Sequence, residues 1–456
     1  MDSIRGREDR GPRGAAPATG RSGRRVFLET YGCQMNAADS ELIAGVLARH
    51  GYERTAEPAE ADVLLINTCA IRERAEERVL ARLNDLLRFK HERPHVRLGL
   101  LGCVATHQRE RLLDRAPFLD LIVGPDGYRD LPELIASGED PHVEVRLDRD
   151  ETYADLLPVH APGPRAWLSV MRGCDKFCSF CVVPYTRGRE RSLPPDAVIA
   201  QVEAAVVAGK REVVLLGQTV NAYRAQDLDF GGLLRLVAQV DGLERIRFTS
   251  PHPSDVSESM IEAMACEAKV MPYLHLPVQS ASDTVLERME RGYTIAAYRA
   301  LLDRVRARIP GVAVSTDVIV GFPGESESDF ARTAELLDEA QYDFAYLFKY
   351  SPREGTKAQR VLPDDIPEAE KLRRLELLIE RQEAIGLERN RAWIGRGVEV
   401  LVEGPARRPP GSSVGKSREF KTTVFAADDA RVGELVQVRV EDATSHTLLG
   451  VRVSEA

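Results

Sequence analysis

The residues best suited to chemistry are three cysteines, Cys174, Cys178 and Cys181, which fall within one run of eight residues. Three residues separate the first pair and two separate the second, so a single tight loop can direct three sulfurs at one point. Thiolates in this arrangement are typical ligands of an iron–sulfur cluster, and a cubane 4Fe-4S cluster usually takes four of them. No fourth Cys or His lies nearby, so three ligands would leave one iron open to a substrate, which is a catalytic arrangement.

Two other uses of these thiols fit the spacing less well. A zinc knuckle normally has two closely spaced pairs of ligands, and this run lacks the second pair. Three structural thiols without a metal are a weaker explanation still. The segment resembles the radical S-adenosylmethionine (SAM) superfamily, in which an aromatic residue precedes the third cysteine, as Phe180 does here. That resemblance implies a 4Fe-4S cluster that binds SAM.

Length and composition describe an ordinary soluble globular protein. The chain has 456 residues, of which 43% are hydrophobic and 29% are charged, and this length predicts two to four domains. No window of 18 residues is both apolar and uncharged, so we expect no membrane span. Seven cysteines, an odd number in a long chain without a secretion signal, favour a reducing, cytoplasmic compartment in which thiols bind metals.

The two ends of the chain differ from its middle in composition and charge. Residues 1–24 are rich in Gly, Pro and Arg and lack an apolar segment, so we expect a disordered tail there. The formal net charge of −9 gives no general attraction to nucleic acid, but residues 405–421 carry five cations against one acid. Such a run is either a solvated loop or a contact for RNA. Its cations are Arg407, Arg408, Lys416, Arg418 and Lys421.

A strand followed by a helix recurs three times in residues 25–140. The expected strands cover residues 25–30, 63–67 and 96–101, and the expected helices cover 39–49, 72–89 and 108–114. This alternation predicts an open parallel α/β sheet, in which the carboxyl ends of the strands meet at one ligand-binding edge. Cys33, Cys69 and Cys103 each follow a strand and lie 36 and 34 residues apart, which predicts a second three-cysteine cluster. Three small buried thiols at strand ends are the alternative.

Motifs around these cysteines narrow that choice. Tyr31-Gly-Cys-Gln-Met-Asn36, Asn67-Thr-Cys-Ala-Ile-Arg-Glu73 and Gly102-Cys-Val-Ala105 look like the three signatures of the methylthiotransferase N-terminal domain. Together with the Cys-Val-Val-Pro-Tyr-Thr-Arg-Gly of residues 181–188, they are most similar to the MiaB-type tRNA methylthiotransferases. The resemblance spans about residues 25–456, and it implies that the three early cysteines bind a second 4Fe-4S cluster.

Residues 160–390 are expected to form a partial, open-sided (β/α)6 barrel. The expected strands cover residues 166–171, 213–217, 245–250, 273–279, 313–321 and 343–350. A closed eightfold barrel needs about 250 residues, more than this region contains, and an open side suits a macromolecular substrate. The cysteine loop follows the first strand, at the carboxyl face where the chemistry of such barrels occurs. A long charged helix over 367–393 then leads to the last domain.

Polar and glycine-rich strand ends in this barrel are suited to a nucleoside cofactor. In the radical SAM enzymes that this region resembles, the corresponding segments contact the methionyl amine, ribose and adenine. The residues to which the resemblance assigns SAM binding are Phe180, Gln218, Gln279, Ser280 and Gly321. We expect His252 and His275 to be satisfied core or rim histidines, and Cys266 to be a buried thiol in a helix.

Residues 394–456 alternate apolar residues with turn residues, which predicts a small β-barrel. The domain resembles the TRAM module that ends this family, and its basic residues are expected in a loop between the first strands. The resemblance implies that all five cations of residues 405–421 bind RNA. One segment departs from the family, because Gly415-Lys-Ser-Arg-Glu-Phe-Lys421 replaces its usual Gly-Arg-Thr-(acidic or polar)-Asn-Arg pattern.

The resemblance also implies a reaction, the SAM-dependent methylthiolation of carbon 2 of N6-dimethylallyladenosine beside the anticodon of tRNA. One cluster would cleave SAM by reduction and the other would supply sulfur, methylated by a second SAM, so no side chain is assigned as an acid–base catalyst. The expected partners are tRNA and an electron donor such as a flavodoxin or ferredoxin, with the chain acting as a monomer.

Two alternatives to this reaction remain. A related methylthiotransferase would act on threonylcarbamoyladenosine in tRNA or on an aspartate of a ribosomal protein. A non-catalytic iron–sulfur sensor that binds RNA belongs to another class, and it predicts that the reduced protein forms no 5′-deoxyadenosine from SAM.

Overall fold

The computed structural model describes residues 23–70, 73–138, 141–427 and 430–453. The expected disordered tail therefore lies almost wholly outside the described residues, and the first strand already begins at Arg24. Among the helices in the described ranges, none combines the length and apolar character needed to cross a membrane.

The N-terminal domain is a parallel sheet of six strands in the order β2-β1-β3-β4-β5-β6. These strands are β1 (Arg24–Tyr31), β2 (Tyr52–Thr55), β3 (Val63–Thr68), β4 (Arg97–Gly102), β5 (Leu121–Val123) and β6 (His142–Glu144). The helices are α1 (Gln34–Arg49), α2 (Glu73–Glu92), α3 (Cys103–Gln108), α4 (Arg111–Arg115) and α5 (Leu131–Ser137). The open parallel α/β fold expected from the sequence is therefore confirmed.

Helices cover both faces of this sheet, which explains why its central strands β3 and β4 are mostly apolar and buried. Leu64 and Ile66 of β3 point into a core that includes Leu83 and Leu86 of α2. Leu65, on the other face of the same strand, belongs to a separate core formed with α1 and α5. The paired cores hold the carboxyl ends of β1, β3 and β4 at one edge.

The helix expected over residues 108–114 is wrong in its limits. The structure has two short helices instead, and the first begins at Cys103, directly after β4. Arg109 separates them with a positive φ of 54°, a conformation that a continuous helix does not contain. Gly102, at φ 94°, allows the sharp change of direction before Cys103, since a Cβ there would lie 2.5 Å from the carbonyl oxygen of Thr68.

The central domain contains the six expected parallel strands, arranged as two three-stranded sheets, β13-β10-β7 and β14-β15-β16. The long strands are β7 (Arg165–Ser169), β10 (Glu212–Leu216), β13 (Arg245–Phe248), β14 (Tyr273–His275), β15 (Ala313–Val320) and β16 (Phe344–Lys349), and the short ones are β8 (Met171–Arg172), β9 (Arg191–Ser192), β11 (Arg224–Ala225) and β12 (Leu228–Asp229). An isolated parallel bridge between Ile246 and Val270 joins β13 to the segment before β14. The result is the predicted partial barrel.

Helices pack around this barrel and enclose one large apolar core that includes residues from five of the six strands, and Leu347 of β16 packs against it. They are α6 (Val183–Arg187), α7 (Pro195–Val207), α8 (Phe230–Ala238), α9 (Glu258–Cys266), α10 (Asp283–Arg288), α11 (Ile295–Arg308), α12 (Glu327–Ala340), α13 (Lys357–Val361) and α14 (Glu368–Arg391). The interpretation of Cys266 as a buried thiol is wrong, because it is the last residue of α9 and is exposed.

The C-terminal domain is a closed five-stranded barrel in the order β17-β18-β19-β21-β20. Its strands are β17 (Gly397–Pro405), β18 (Ser412–Ser417), β19 (Thr422–Ala426), β20 (Leu435–Ala443) and β21 (Thr447–Arg452). Val398, Val400, Val402, Phe425 and Val438 form part of its core. The expectation of a single basic loop over residues 405–421 is wrong. Strand β18 lies within this segment, so one turn precedes β18 and a second turn follows it.

Candidate functional site

One cavity of about 510 Å³ brings the two cysteine trios together. We call Cys33, Cys69 and Cys103 the N-terminal trio, and Cys174, Cys178 and Cys181 the barrel trio. The first comes from the strand ends of the N-terminal sheet, and the second from the loop that follows β8. All six residues line the same space, although they come from two domains.

The members of the N-terminal trio contact one another. Cys33 precedes α1, Cys69 follows β3, and Cys103 opens α3. The thiol of Cys69 shares hydrogen bonds with both partners, and these bonds are the main cause that lowers the pKa of Cys33 and of Cys103. The nearby Arg187 guanidinium lowers both values further. The surroundings therefore favour the thiolate, the form of cysteine that binds metals, at Cys33 and Cys103, whereas the hydrogen bonds with these two residues raise the pKa of Cys69.

The barrel trio sits on a loop whose shape depends on Gly173. Gly173 has a φ of 75°, and a Cβ there would meet the carbonyl oxygen of Arg189 at 1.9 Å. Cys174 Sγ lies 3.2 Å from Thr219 Oγ1 at the end of β10, and Cys178 Sγ accepts a hydrogen bond of 3.3 Å from Arg291 Nη1. Burial raises the pKa of Cys181 to about 12. The loop therefore presents its sulfurs inward, close to the barrel strands.

The donor set suits a cluster better than a single ion. Among the described residues, no three Cys, His, Asp or Glu side chains are arranged as a site for one metal ion. Ligands of a four-iron cluster bind different iron atoms, so their sulfurs do not have to converge on one point. Each trio offers only sulfur, which selects iron–sulfur clusters and other soft metal centres over magnesium or calcium.

Several buried polar atoms that line the cavity are unpaired, and they show whether the cavity suits a polar cofactor. Within the described part of the chain, neither amide atom of Gln218 has a hydrogen-bond partner, and the same holds for Gln279 Oε1, His252 Nε2 and Arg187 Nη1, although all of these atoms are buried. All four residues line the cavity, as does Phe180, so the expectation that His252 is a satisfied core or rim histidine is wrong. Buried polar groups are normally paired, so these atoms fit a ligand that carries amine, carboxylate, hydroxyl and base groups, as SAM does.

Two residues that the sequence assigned to SAM binding do not line this cavity. Ser280 is fully buried, and its hydroxyl lies 3.4 Å from Thr333 Oγ1. Gly321 turns the chain after β15 with a φ of 69°, and its N–H donates to Glu325 Oε2 at 2.6 Å. Both residues have structural partners within the protein. We therefore withdraw Ser280 and Gly321 from the candidate SAM contacts and retain Phe180, Gln218 and Gln279.

Three family models match the chain. The uncharacterized protein family UPF0004 matches residues 25–124, the radical SAM superfamily matches residues 168–337, and the TRAM domain matches residues 391–453. The first and second matches contain the N-terminal trio and the barrel trio respectively. The third covers the closed five-stranded barrel.

Curated relatives match over nearly the full chain. The tRNA-2-methylthio-N(6)-dimethylallyladenosine synthase of Chlorobium luteolum is 45% identical over 434 residues, which are 94% of this chain and 97% of the relative. The protein of the same name from Pseudomonas paraeruginosa is 42% identical over 440 residues, 94% of this chain and 98% of the relative. The chain belongs to this synthase family. Members of the family use SAM and a radical SAM 4Fe-4S cluster, and carry a second cluster in the N-terminal domain.

Solved structures resemble the synthase-family fold at low identity. The radical SAM methyltransferase TsrM from Kitasatospora setae has a TM-score of 0.54 at 14% identity, over 71% of this chain and 73% of that one. The cobalamin-dependent SAM radical enzyme OxsB has a TM-score of 0.53 at 14% identity, over 78% and 56% of the two chains. These likenesses concern the fold alone.

In this synthase-family chain, buried ion pairs join the N-terminal domain to the barrel beside the cavity. Asp39 of α1 accepts hydrogen bonds from Arg172 Nη2 at 3.1 Å and from Arg187 Nη2 at 2.7 Å. Asp126 accepts one from Arg191 Nη2 at 2.9 Å. All five side chains are at least 95% buried. These charges pair across the domain boundary and fix the position of one trio relative to the other.

Sequence analysis missed three residues that contact the cysteines, namely Arg187, Thr219 and Arg291. Arg187 lies within the Pro-Tyr-Thr-Arg-Gly segment used for the family resemblance, so its position in a motif was a usable signal. Thr219 follows Gln218 at a strand end that was already assigned to the cofactor. Arg291 had no such signal, because only the fold brings the segment after α10 against Cys178.

The five basic residues assigned to RNA occupy different environments in the synthase-family barrel. Arg407 and Arg408 are exposed in the turn between β17 and β18. At the other end of β18, Lys416 Nζ donates to Thr422 Oγ1 at 2.7 Å, and Arg418 Nη2 donates to the carbonyl oxygen of Ala268 at 2.9 Å.

Lys421 does not fit an RNA-binding role. It is 1% exposed, and its Nζ lies 2.8 Å from both Asp343 Oδ1 and Asn390 Oδ1. Its charge is paired with that of Asp343, in a contact between the C-terminal barrel and the central domain. The interpretation of Lys421 as an RNA contact is therefore wrong.

Proposed function

We propose that this chain acts on tRNA and attaches a methylthio group to carbon 2 of N6-dimethylallyladenosine next to the anticodon. The observation that supports it most is the meeting of two cysteine trios from different domains in one cavity of about 510 Å³. Sulfur insertion at an unreactive carbon requires a radical source and a sulfur source close together. The shared cavity meets that requirement, and the synthase family supplies the substrate.

In this proposal each trio holds one 4Fe-4S cluster, and SAM binds against Phe180, Gln218 and Gln279. When bound, these cofactors supply the radical and sulfur-transfer chemistry, and the protein supplies their binding and orientation. Gln218 and Gln279 provide unpaired amide atoms that can fix the polar groups of SAM. The buried ion pairs of Asp39 hold the N-terminal trio facing the barrel trio.

His252 contributes a neutral group to this site. Burial, together with the Arg291 and Lys176 charges, lowers its pKa to about 2. The imidazole is therefore uncharged at physiological pH. Its unpaired Nε2 can form a hydrogen bond with a ligand without acting as a base that removes a proton from it. This fits a site in which cofactors, and no acid–base side chain, perform the chemistry.

The RNA-binding surface in this proposal includes the exposed turn that carries Arg407 and Arg408. Two unpaired guanidinium groups on a β-barrel turn can bind the phosphates of a tRNA anticodon arm and set its register, without reading its sequence. Lys416 and Arg418 already bond to protein atoms and have a smaller part.

The finer partners follow from the same chemistry. Reductive cleavage of SAM requires an electron from outside the chain, for which a flavodoxin or ferredoxin is suited. Both trios come from one chain, so the site is complete without a second copy and the enzyme acts as a monomer in the cytoplasm.

The deciding experiment is mass spectrometry of tRNA nucleosides from a strain that lacks the gene. We expect methylthio-isopentenyladenosine to disappear, isopentenyladenosine to accumulate, and the wild-type gene to restore the modified nucleoside. A gene with Cys174→Ala should not restore it. Unchanged methylthio-isopentenyladenosine in the deletion strain would contradict the proposal, and loss of methylthio-threonylcarbamoyladenosine in its place would show that the related substrate is the true one.

A further inference from the structure

We propose that Arg187 is a positioning residue that binds the anionic sulfur species carried at the N-terminal trio. The residue belongs to the central domain, but its guanidinium reaches the cysteines of the other domain. This inference rests on the proposed function, which places the sulfur to be transferred at Cys33, Cys69 and Cys103. It adds a protein group that holds that sulfur by hydrogen bonding.

The three nitrogens of Arg187 have three different environments. Nε donates to Cys103 Sγ at 3.1 Å, and Nη2 donates to Asp39 Oδ2 at 2.7 Å. Nη1 is buried and has no hydrogen-bond partner among the residues that the structure describes. The side chain is only 4% exposed, and the residue lines the cavity that the cysteines share. A buried, charged donor without a partner costs free energy, because it has lost its hydrogen bonds to water and gained none in the protein. Such a donor therefore indicates a ligand.

The backbone and the neighbouring charges hold this guanidinium in place. Arg187 is the last residue of α6, which packs against α3, the helix that Cys103 begins. Asp39 fixes one edge of the fork and is itself buried, with a second hydrogen bond from Arg172. The free Nη1 therefore cannot turn away to find water.

The charge of the guanidinium indicates the class of ligand. Nη1 belongs to a cation, so it donates its strongest hydrogen bond to an anionic acceptor. Cys103 Sγ and Asp39 Oδ2 already accept from Nε and Nη2, which leaves Nη1 for an anion that enters the cavity. Hydrosulfide and methanethiolate are the anions that the proposed reaction brings to this trio.

Arg291 provides a matched comparison within the same cavity. It is also buried and also donates to a cysteine sulfur, that of Cys178. Its Nε donates to Tyr293 and its Nη2 to the carbonyl oxygen of Pro277, so all three of its nitrogens have partners. Arg291 therefore has no free donor for a ligand, and we infer no such role for it.

The test uses the full chain carrying Cys174→Ala, Cys178→Ala and Cys181→Ala, reconstituted so that only the N-terminal trio holds iron. Sodium methanethiolate is titrated in, and binding is followed by the electron paramagnetic resonance signal of the reduced cluster. We expect Arg187→Gln to raise the apparent Kd about tenfold or more, with about four irons per chain retained. The apparent Kd of Arg187→Lys should fall between that of the background protein and that of Arg187→Gln, since lysine keeps the charge but lacks the planar guanidinium.

The controls make each outcome decisive. The control in the same background is Lys176→Gln, because Lys176 is a cation that lines the same cavity but donates to Asp255 Oδ1 at 2.7 Å, and this variant should bind methanethiolate as tightly as the background protein does. Equal affinity in Arg187→Gln and the background would overturn the inference. Loss of iron from both Arg187 variants would also overturn it, because Arg187 would then support assembly of the site and not bind its ligand. If the background protein binds no methanethiolate, the inference fails, and the tRNA nucleoside measurement separately decides whether the proposed function survives.

Discussion

Lys421 Nζ lies 2.8 Å from Asp343 Oδ1, and both side chains are only 2% exposed. Lys421 precedes β19 of the C-terminal barrel, whereas Asp343 precedes β16 of the central domain, so the pair joins the two domains. Arg389 of α14 bonds the same carboxylate, with Nε at 3.0 Å from Oδ1. A cation that the sequence assigned to RNA therefore holds the C-terminal barrel against the central domain.

Replacement of Lys421 by methionine should destabilise the protein. The change leaves the buried Asp343 carboxylate with Arg389 as its one remaining cation, and breaking a buried pair costs about 3 kcal/mol. Guanidinium unfolding of both proteins measures the difference. The matched control is Arg408→Met on the exposed turn, for which we expect a change within about 0.5 kcal/mol. Equal stability of the Lys421 variant and the wild type would contradict the role given to this pair.

The exposed turn should govern the electrostatic part of RNA binding. We expect Arg407→Ala with Arg408→Ala to weaken binding of an anticodon stem–loop and to reduce the slope of log K against log salt by about 1 to 2 units, since two phosphate contacts are lost. Fluorescence anisotropy over a range of salt concentrations measures both quantities. A salt slope that does not change in the double variant would show that the turn does not contact RNA.

Replacement of Gln218 by leucine should weaken SAM binding without lowering the stability of the protein. The two buried amide atoms of Gln218 have no partner in the described ranges of the chain, so Gln218→Leu removes a desolvation cost and should not lower the free energy of unfolding. The same change should raise the Kd for SAM about tenfold, which corresponds to about 1.4 kcal/mol. Equilibrium binding and chemical denaturation measure the two effects.

The control is Gln382→Leu in α14, where the amide nitrogen donates to the carbonyl oxygen of Tyr342. It should lower stability and leave SAM binding unchanged. A SAM affinity that is the same in Gln218→Leu and the wild type would remove Gln218 from the cofactor site.

Glu212 should make stability depend on pH below neutrality. Burial opposes its ionisation, but Arg247 and Arg165 outweigh that effect and lower its pKa from 4.5 to about 2. Because the folded-state pKa is depressed, the stabilisation is complete well above pH 4.5 and is lost as the pH falls from 4.5 towards 2. Its full size is about 3 kcal/mol.

Unfolding free energies measured between pH 6 and pH 3 test this pair of ion bonds. We expect Glu212→Gln to be less stable at pH 6 and to show a shallower decline on acidification than the wild type. An identical slope in both proteins would mean that Glu212 does not carry the effect.

The sequence predicted those parts of the site that depend on residue type and position in a motif. Cysteines at strand ends and in a short loop predicted two trios, and the structure brings all six residues to one cavity, although their binding of clusters stays a prediction. The predicted fold class is confirmed. It could be predicted because strands and helices have different spacings of apolar residues, and these spacings alternate along the sequence. Gln218 and Gln279 follow strands, and they line the cavity as expected of strand ends in such folds, although their binding of SAM stays a prediction.

Contacts between distant segments could not be predicted from the sequence. Lys421 looks like any basic loop residue until Asp343 is placed beside it by the docking of two domains. Ser280 was assigned to SAM by resemblance to other radical SAM enzymes, yet its side chain turns into the protein towards Thr333. The strand β18 was missed because its Ser, Gly and Lys residues are typical of loops, and only closure of the barrel makes them a strand.

The iron content of reconstituted protein tests most directly whether two clusters share the cavity. We predict about eight irons per chain in the wild type, and about four in each triple alanine variant, whether the N-terminal trio or the barrel trio is replaced. The two variants should each keep the other cluster, since the trios lie on separate domains. Full iron content in either triple variant would contradict the account.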